Sequence, residues 1–204
     1  EEATGWDSHK GCGGTPFVLC PVGNVGEKVG IFGRLEYFAD EINKAENSPY
    51  SNLMKGIGIM PEGIDNNPVL YDMIAEAGWR SKKINIDNWI NNYIQYRYGA
   101  INEHLKDAWK LLLRTAYDSV KASPDGPPES VFCARPGTTM QIASVYGTLK
   151  RTYDTSLFHK AVTLFVAAEK ESPSLKYAET YQTDKVDFLR QVNANNGLSF
   201  FQNM

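Results

Sequence analysis

The chain has 204 residues, of which 42 % are hydrophobic and 22 % are charged, values that are ordinary for a globular protein. Its formal net charge is −3 at pH 7, which argues against a nucleic-acid-binding protein, because such a protein would carry a basic surface. No apolar run approaches the roughly 20 residues that a membrane-spanning helix needs. The length suffices for one ordinary domain or for parts of two.

The cysteine and histidine content predicts neither a disulfide framework nor a metal site. Three cysteines are an odd number, and they form no Cys-x-x-Cys pair. The three histidines lie far apart in the sequence. We therefore expect no metal ion and no cofactor.

The two ends of the chain predict that it is part of a longer protein. It starts at Glu1 rather than at Met and shows no signal segment. Its last residues include the adjacent pair Phe200 and Phe201, which would be costly to expose at a natural terminus. No Asn-x-Ser/Thr acceptor for N-glycosylation occurs, which favours a bacterial source over a glycosylated lysosomal one.

The first part of the chain alternates between strand and helix patterns. Residues 1–15 are rich in glycine and predict a loop. Short apolar runs at 16–20 and 54–60 predict two buried strands. A helix with Leu35, Phe38, Ala39 and Ile42 on one face follows the first run, and a helix capped by Asn67, with Pro68 at its first position, follows the second.

Strand patterns cease after about Ser81, and the rest of the chain predicts helices. Asp87 is a candidate N-cap for one helix and Asn102 for the next. Residues 123–139 are rich in proline and glycine and predict a long loop, after which helical spacing resumes at 157–168 and 186–192. The predicted fold class is α/β plus all-α, with helix predominant. Residues 1–83 would form the last units of a (β/α)8 barrel, and residues 84–204 would begin an all-α domain, since a whole barrel needs about 250 residues.

Glu62 is the residue that points most directly to chemistry. It follows the second predicted strand between Pro61 and Gly63, and the active site of a barrel lies at the carboxyl ends of its strands. Two other interpretations remain open from position alone: Glu62 could cap the helix that begins near Pro68, or it could be solvated in a loop.

Several segments resemble the α-N-acetylglucosaminidases of glycoside hydrolase family 89. The segment Lys55-Gly56-Ile57-Gly58-Ile59-Met60-Pro61-Glu62-Gly63-Ile64-Asp65-Asn66-Asn67-Pro68-Val69-Leu70-Tyr71 is similar to the family's nucleophile segment, and Glu76, Trp79 and Arg80 follow at matching offsets. Residues 14–20 look like the family's preceding strand, and Arg97-Tyr98-Gly99, residues 108–112 and Arg135-Pro136 resemble its helical domain. The resemblance runs from about residue 6 to residue 192.

The resemblance implies a retaining exo-glycosidase that removes terminal, non-reducing α-linked N-acetylglucosamine. It implies that Glu62 is the nucleophile and that the acid/base glutamate lies on an earlier barrel strand, outside this chain. The 204-residue chain alone would then be inactive, and the partner of the whole protein would be a glycan. The resemblance also implies a location outside the cytoplasm, with a bacterial periplasmic or secreted protein favoured over a lysosomal one.

The loop after the first strand contributes to the sugar pocket in the family. There the usual pattern is His-Asn-Phe-Gly-Gly, whereas this chain has Gly23-Asn24-Val25-Gly26-Glu27. By this match, Val22, Asn24 and Val25 are candidate substrate-binding residues. Replacement of an aromatic ring by Val25 predicts weaker stacking on the sugar. An alternative for Asn24 is a turn residue without contact to substrate.

A loop of the helical region is a further candidate. The family's corresponding loop reaches the active site and offers a histidine, but residues 123–135 contain none, and Glu129 is the candidate contact in its place. The alternative is a solvated, proline-rich loop. For the whole chain, the alternative to an enzyme is a non-catalytic helical carbohydrate-binding or interaction module derived from a glycoside hydrolase.

Overall fold

The computed structural model describes residues 5–24, 28–62, 67–118, 127–133 and 148–202. In chain order the helices and strands are α1 (Gly5–Ser8), α2 (Lys10–Gly13), β1 (Phe17–Leu19), α3 (Leu35–Glu46), β2 (Met54–Ile57), α4 (Pro68–Ala77), α5 (Ile86–Tyr98), α6 (Glu103–Leu113), α7 (Thr155–Glu171) and α8 (Glu179–Gln202), with 3-10 turns at Val131–Cys133 and Pro173–Tyr177. The predicted fold class, α/β followed by all-α with helix predominant, is confirmed. None of the helices in the described ranges is both long enough and apolar enough to cross a membrane.

The two strands pair in parallel, so that their carboxyl ends lie at the same edge of the sheet. Leu19 pairs with Ile57, and the Gly58 N–H donates to the Leu19 carbonyl oxygen at 2.8 Å. The second strand was predicted to reach Met60, but β2 ends at Ile57. The reason is that its partner β1 ends at Leu19, and Met60, beyond the pairing, is 49 % exposed.

The first fifteen residues were predicted to be a loop, and this is wrong for residues 5–13. A turn of helix forms α1, which buries Trp6 against the sheet, with its indole stacked on the Phe17 ring at 6.5 Å. The next turn, α2, winds in the left-handed sense, with φ of 51° at Lys10 and 52° at Cys12. The glycines between and after these residues adopt positive φ without steric cost, which makes such a turn possible.

One of the two predicted caps in the helical region is confirmed and the other is wrong. The Asn102 side chain accepts a hydrogen bond from the Leu105 N–H and caps α6, as predicted. The cap of α5 is Asn85, whose side chain accepts from the Asn88 N–H, rather than Asp87. Asp87 lies inside the first turn of α5, where a negative charge favours the helix dipole.

The larger of two buried apolar clusters in the described residues joins the α/β part to the helices. Trp109 of α6 lies at its centre and is 1 % exposed. Its ring stacks on Tyr117 at 5.8 Å and meets Tyr93 of α5 and Phe188 of α8 edge-on at 5.4 and 6.0 Å. The same core includes Leu35 of α3, so the two parts share buried apolar surface.

A buried ion pair links α5 to α8. The Arg97 guanidinium donates to both carboxylate oxygens of Asp184 at 2.7 Å, and the Tyr98 hydroxyl donates to the same carboxylate at 2.7 Å. The two charged side chains are only 15 % and 6 % exposed. Because both oxygens of the carboxylate are satisfied, the charge can stay buried.

Replacing Asp184 with alanine should lower the free energy of unfolding by about 3–5 kcal/mol, because it leaves a buried guanidinium and a buried hydroxyl without their acceptor. The exposed pair of Lys110 and Asp107 provides the control, since these side chains are 62 % and 54 % exposed. Asp107→Ala should change stability by no more than about 0.5 kcal/mol. Urea unfolding of both variants measures the difference, and equal effects would contradict the assigned role of Asp184.

Candidate active site

Glu62 is exposed and lies in the segment without regular secondary structure that follows β2. The position immediately before α4 belongs to Asn67, so the alternative that Glu62 caps this helix is wrong. Because β1 and β2 are parallel, the residues after Ile57 and those after Leu19 leave the sheet at the same edge. Glu62 therefore lies on the chain that leaves this edge, five residues after the end of β2, and its catalytic role stays a prediction.

The predicted sugar-binding loop begins at this same edge. Val22 is 36 % exposed and Asn24 only 3 % exposed, whereas Val25 lies outside the described residues. The Asn24 amide donates to the Lys28 carbonyl oxygen at 2.5 Å and accepts from the Lys28 N–H at 3.1 Å. Asn24 thus bonds to the backbone of Lys28, and its contact with a sugar stays a prediction.

The backbone from residue 29 onward is held by groups from the helical region. The Arg190 guanidinium of α8 donates to the Val29 carbonyl oxygen at 2.7 Å, and Gln191 accepts from the Ile31 N–H at 2.9 Å. The Gly33 N–H donates to the Ala116 carbonyl oxygen at 3.0 Å. We call residues 28–33 the strap, because they follow the loop that leaves β1 and are hydrogen-bonded to the helical region.

Asn67 holds the middle of the strap. Its side-chain oxygen accepts from the Phe32 N–H at 3.0 Å, and its side-chain nitrogen donates to the Gly30 carbonyl oxygen at 3.1 Å. The Tyr117 hydroxyl donates to the same side-chain oxygen at 3.2 Å. Asn67 was predicted to cap α4, but its side chain makes no capping hydrogen bond because its polar atoms bind the strap and Tyr117.

Glu129 also lies where the strap meets the helical region. It is 9 % exposed, so the prediction of a solvated loop is wrong at this residue. Its N–H donates to the Thr148 carbonyl oxygen at 2.8 Å, and its carbonyl oxygen accepts from the Arg151 guanidinium at 3.0 Å. Burial lowers the pKa of Arg151.

A groove of about 1290 Å³ brings Glu129 and the start of the strap together. Its walls come from the start of the strap, from the segment around Glu129 and from the outer face of α8. They include Lys28, Val29, Gly30, Pro128, Glu129, Ser130, Phe132, Cys133, Val186, Leu189 and Phe200. Glu62 does not line this groove. Glu129 and the start of the strap thus line the same groove. Glu62 lies outside this groove, on the chain that leaves the same edge of the sheet.

Tyr71 and Asn67 are two residues of this region whose contacts the sequence did not reveal. The Tyr71 hydroxyl lies beside Gly23, and burial raises the pKa of its phenol. The position of Tyr71 on the helix after β2 could have suggested a role near the site. Whether its side chain reaches the loop at Gly23, however, depends on how α4 packs. Among the described residues, no group of three His, Cys, Asp or Glu side chains is arranged to hold a metal ion.

Comparison with models of known protein families shows which family the chain belongs to. The model of the alpha-N-acetylglucosaminidase (NAGLU) tim-barrel domain matches residues 1–81, and the model of the NAGLU C-terminal domain matches residues 89–204. The chain belongs to the α-N-acetylglucosaminidases of glycoside hydrolase family 89. The family resemblance read from the Pro61-Glu62-Gly63 segment is confirmed.

Known relatives of this family 89 chain are much longer. Human alpha-N-acetylglucosaminidase is 31 % identical over 180 residues, which are 88 % of this chain and 23 % of the human protein. A family 89 glycoside hydrolase from Clostridium perfringens in complex with PUGNAc is 33 % identical, with a TM-score of 0.89 over 98 % of this chain and 22 % of that one. A variant of the Clostridium perfringens protein with two glutamates changed to glutamine, in complex with its substrate GlcNAc-alpha-1,4-galactose, aligns with a TM-score of 0.88.

The close approach at Gly30 provides a test of the strap. A Cβ atom at this position would lie 2.7 Å from the Pro127 Cβ and 3.1 Å from the Pro128 carbonyl oxygen. Gly30→Ala should therefore destabilise the protein by about 1–3 kcal/mol, because a backbone oxygen cannot move aside as a flexible side chain can. Gly5→Ala is the matched control, since nothing lies within 4 Å of its Cβ. Thermal unfolding measures both variants, and equal melting temperatures for Gly30→Ala and Gly5→Ala would contradict this account.

Proposed function

We propose that the whole protein containing this chain is a retaining exo-glycosidase that removes terminal, non-reducing α-linked N-acetylglucosamine, with Glu62 as its nucleophile. The observation that carries the proposal is the setting of Glu62: an exposed carboxylate just beyond a strand, in a chain that belongs to family 89. The ligands of the relative from Clostridium perfringens support the sugar specificity, since they include 2-acetamido-1,2-dideoxynojirmycin and GlcNAc-alpha-1,4-galactose.

The reaction would proceed in two displacements. In the first, the Glu62 carboxylate forms a bond to the anomeric carbon while the glycosidic carbon–oxygen bond breaks. A second carboxylic acid gives its proton to the departing oxygen and then, as a carboxylate, activates the water that hydrolyses the glycosyl-enzyme. The family resemblance supports an acid/base residue on an earlier barrel strand. The relative's two-glutamate variant, captured with its substrate, agrees with a mechanism that uses two carboxyl groups.

The remaining contacts of the proposed pocket follow from the two neighbouring loops. Val22 and Val25 would pack against apolar faces of the sugar, and Asn24 and Glu129 would offer polar contacts. The last two are buried in this chain, so we expect them to act mainly by shaping the loops that carry them. The protein would work on glycans outside the cytoplasm, which stays a prediction, as do these four contacts.

Glu62→Gln in the full-length protein should lower the rate of release of 4-nitrophenol from 4-nitrophenyl α-N-acetylglucosaminide by more than about 10⁴-fold, because an amide cannot displace the leaving group. Glu103→Gln, a control at a side chain that is 75 % exposed, should keep the wild-type rate.

Azide rescue can distinguish a nucleophile from an acid/base residue by the anomeric configuration of the product. In Glu62→Ala, azide should attack the anomeric carbon from the vacated face and give the β-glycosyl azide, whereas a variant of the acid/base residue would give the α-azide. An α-azide from Glu62→Ala would refute the assignment. Absence of turnover in the wild-type protein, with glycan binding retained, would favour the carbohydrate-binding module instead.

The 204-residue chain by itself should release no 4-nitrophenol above background. It spans 23 % of its human relative, and retaining hydrolysis needs a second carboxyl group about 5–5.5 Å from the nucleophile. Incubating the purified chain with the aryl glycoside tests this expectation. Turnover at catalytic concentrations would mean that a carboxylate within these residues acts as the acid.

A further inference from the structure

Asn67 connects three separate parts of the molecule through one buried amide. Its partners are Gly30 and Phe32 in the strap and Tyr117 after α6, at sequence separations of 37, 35 and 50 residues. Asn67 is 7 % exposed, so water competes little for these hydrogen bonds. Burial raises the pKa of Tyr117 well above its ordinary value, which keeps its hydroxyl protonated and able to donate.

Asn67 is also the end of the segment that carries Glu62. The other end of this segment is anchored at Gly58, whose N–H donates to the Leu19 carbonyl oxygen at 2.8 Å. Along the chain, Glu62 lies four residues after Gly58 and five residues before Asn67, so the bonds of these two residues limit where Glu62 can lie. The strap, which continues the loop of Val22 and Asn24, is attached to Asn67.

We propose that Asn67 is a positioning residue that sets the place of Glu62 relative to the strap and to Tyr117. The inference rests on the proposed function, since Glu62 must be the nucleophile for its placement to affect the rate. Asn67 makes no side-chain capping bond to α4 and uses its amide to bind the strap and Tyr117 instead. A displacement of the order of 1 Å at a reacting group can cost about 10²-fold in rate.

Asn102 offers a control with the same chemistry. Its side chain also makes three hydrogen bonds, to the Leu105 N–H, the Ala168 carbonyl oxygen and the Ser172 hydroxyl. These partners join α6 to the end of α7 and do not involve the strap. Asn67→Ala and Asn102→Ala in the full-length protein therefore remove the same group and the same number of bonds.

The kinetic test compares these variants well below their melting temperatures. Asn67→Ala should lower kcat on the aryl glycoside by about 10- to 100-fold with little change in KM, whereas Asn102→Ala should lower only the melting temperature. Tyr117→Phe removes one hydrogen bond and keeps the ring, so it should fold and should lower kcat by less. In the Asn67→Ala background, Tyr117→Phe should have no further effect on kcat, because the shared bond is already lost.

Hydrogen exchange provides a readout that does not depend on activity. Amides in residues 28–33 and 58–62 should exchange faster in Asn67→Ala than in the wild type, and Asn102→Ala should leave both segments unchanged. The proposal is overturned if exchange in these segments responds equally to the two alanine variants, or if their kcat values fall equally. A wild-type protein without turnover would instead refute the proposed function, and the exchange result alone would then decide whether Asn67 holds the Glu62 segment.

Discussion

The strap is the part of the structure on which the other features depend, because its backbone lies between the sheet edge and the helices without a ladder of its own. Buried peptide groups must find partners, or each costs about 1–3 kcal/mol. The partners here are Arg190 and Gln191 of α8, the carbonyl oxygen of Ala116, and the side chain of Asn67. The helices therefore complete the loop that leaves β1.

This dependence explains why the α/β part and the helical part share one core. Helix α8 supplies Phe188 to the core and Gln191 to the strap, so its position affects both packing and the strand edge. The buried pair of Asp184 and Arg97 fixes α8 against α5 about two turns before Gln191.

Local sequence patterns were sufficient to predict most of the helices and the existence of both strands. The apolar spacing of Leu35, Phe38 and Ile42 predicted α3, and the cap at Asn102 predicted the start of α6, because both signals act within a turn or two of the chain. The end of β2 was missed, since a strand stops where its partner stops, and the partner is β1 rather than a neighbour in sequence. The cap of α5 was missed because Asn85 and Asp87 are both acceptable capping residues and only the backbone angles distinguish them.

By itself, the sequence determined the fold class, the family and the place of Glu62 beyond a strand, because these follow from periodicity and from the continuous Pro61-Glu62-Gly63 segment. Only the tertiary structure decided which polar side chains hold the site together. Asn67 has the residue type and position of a helix cap, yet its buried side chain binds Gly30, Phe32 and Tyr117. Glu129 has the sequence setting of a solvated loop residue, yet it is buried, and its backbone groups bond to Thr148 and Arg151. Burial and long-range hydrogen bonds depend on how the elements pack, and no local pattern records that.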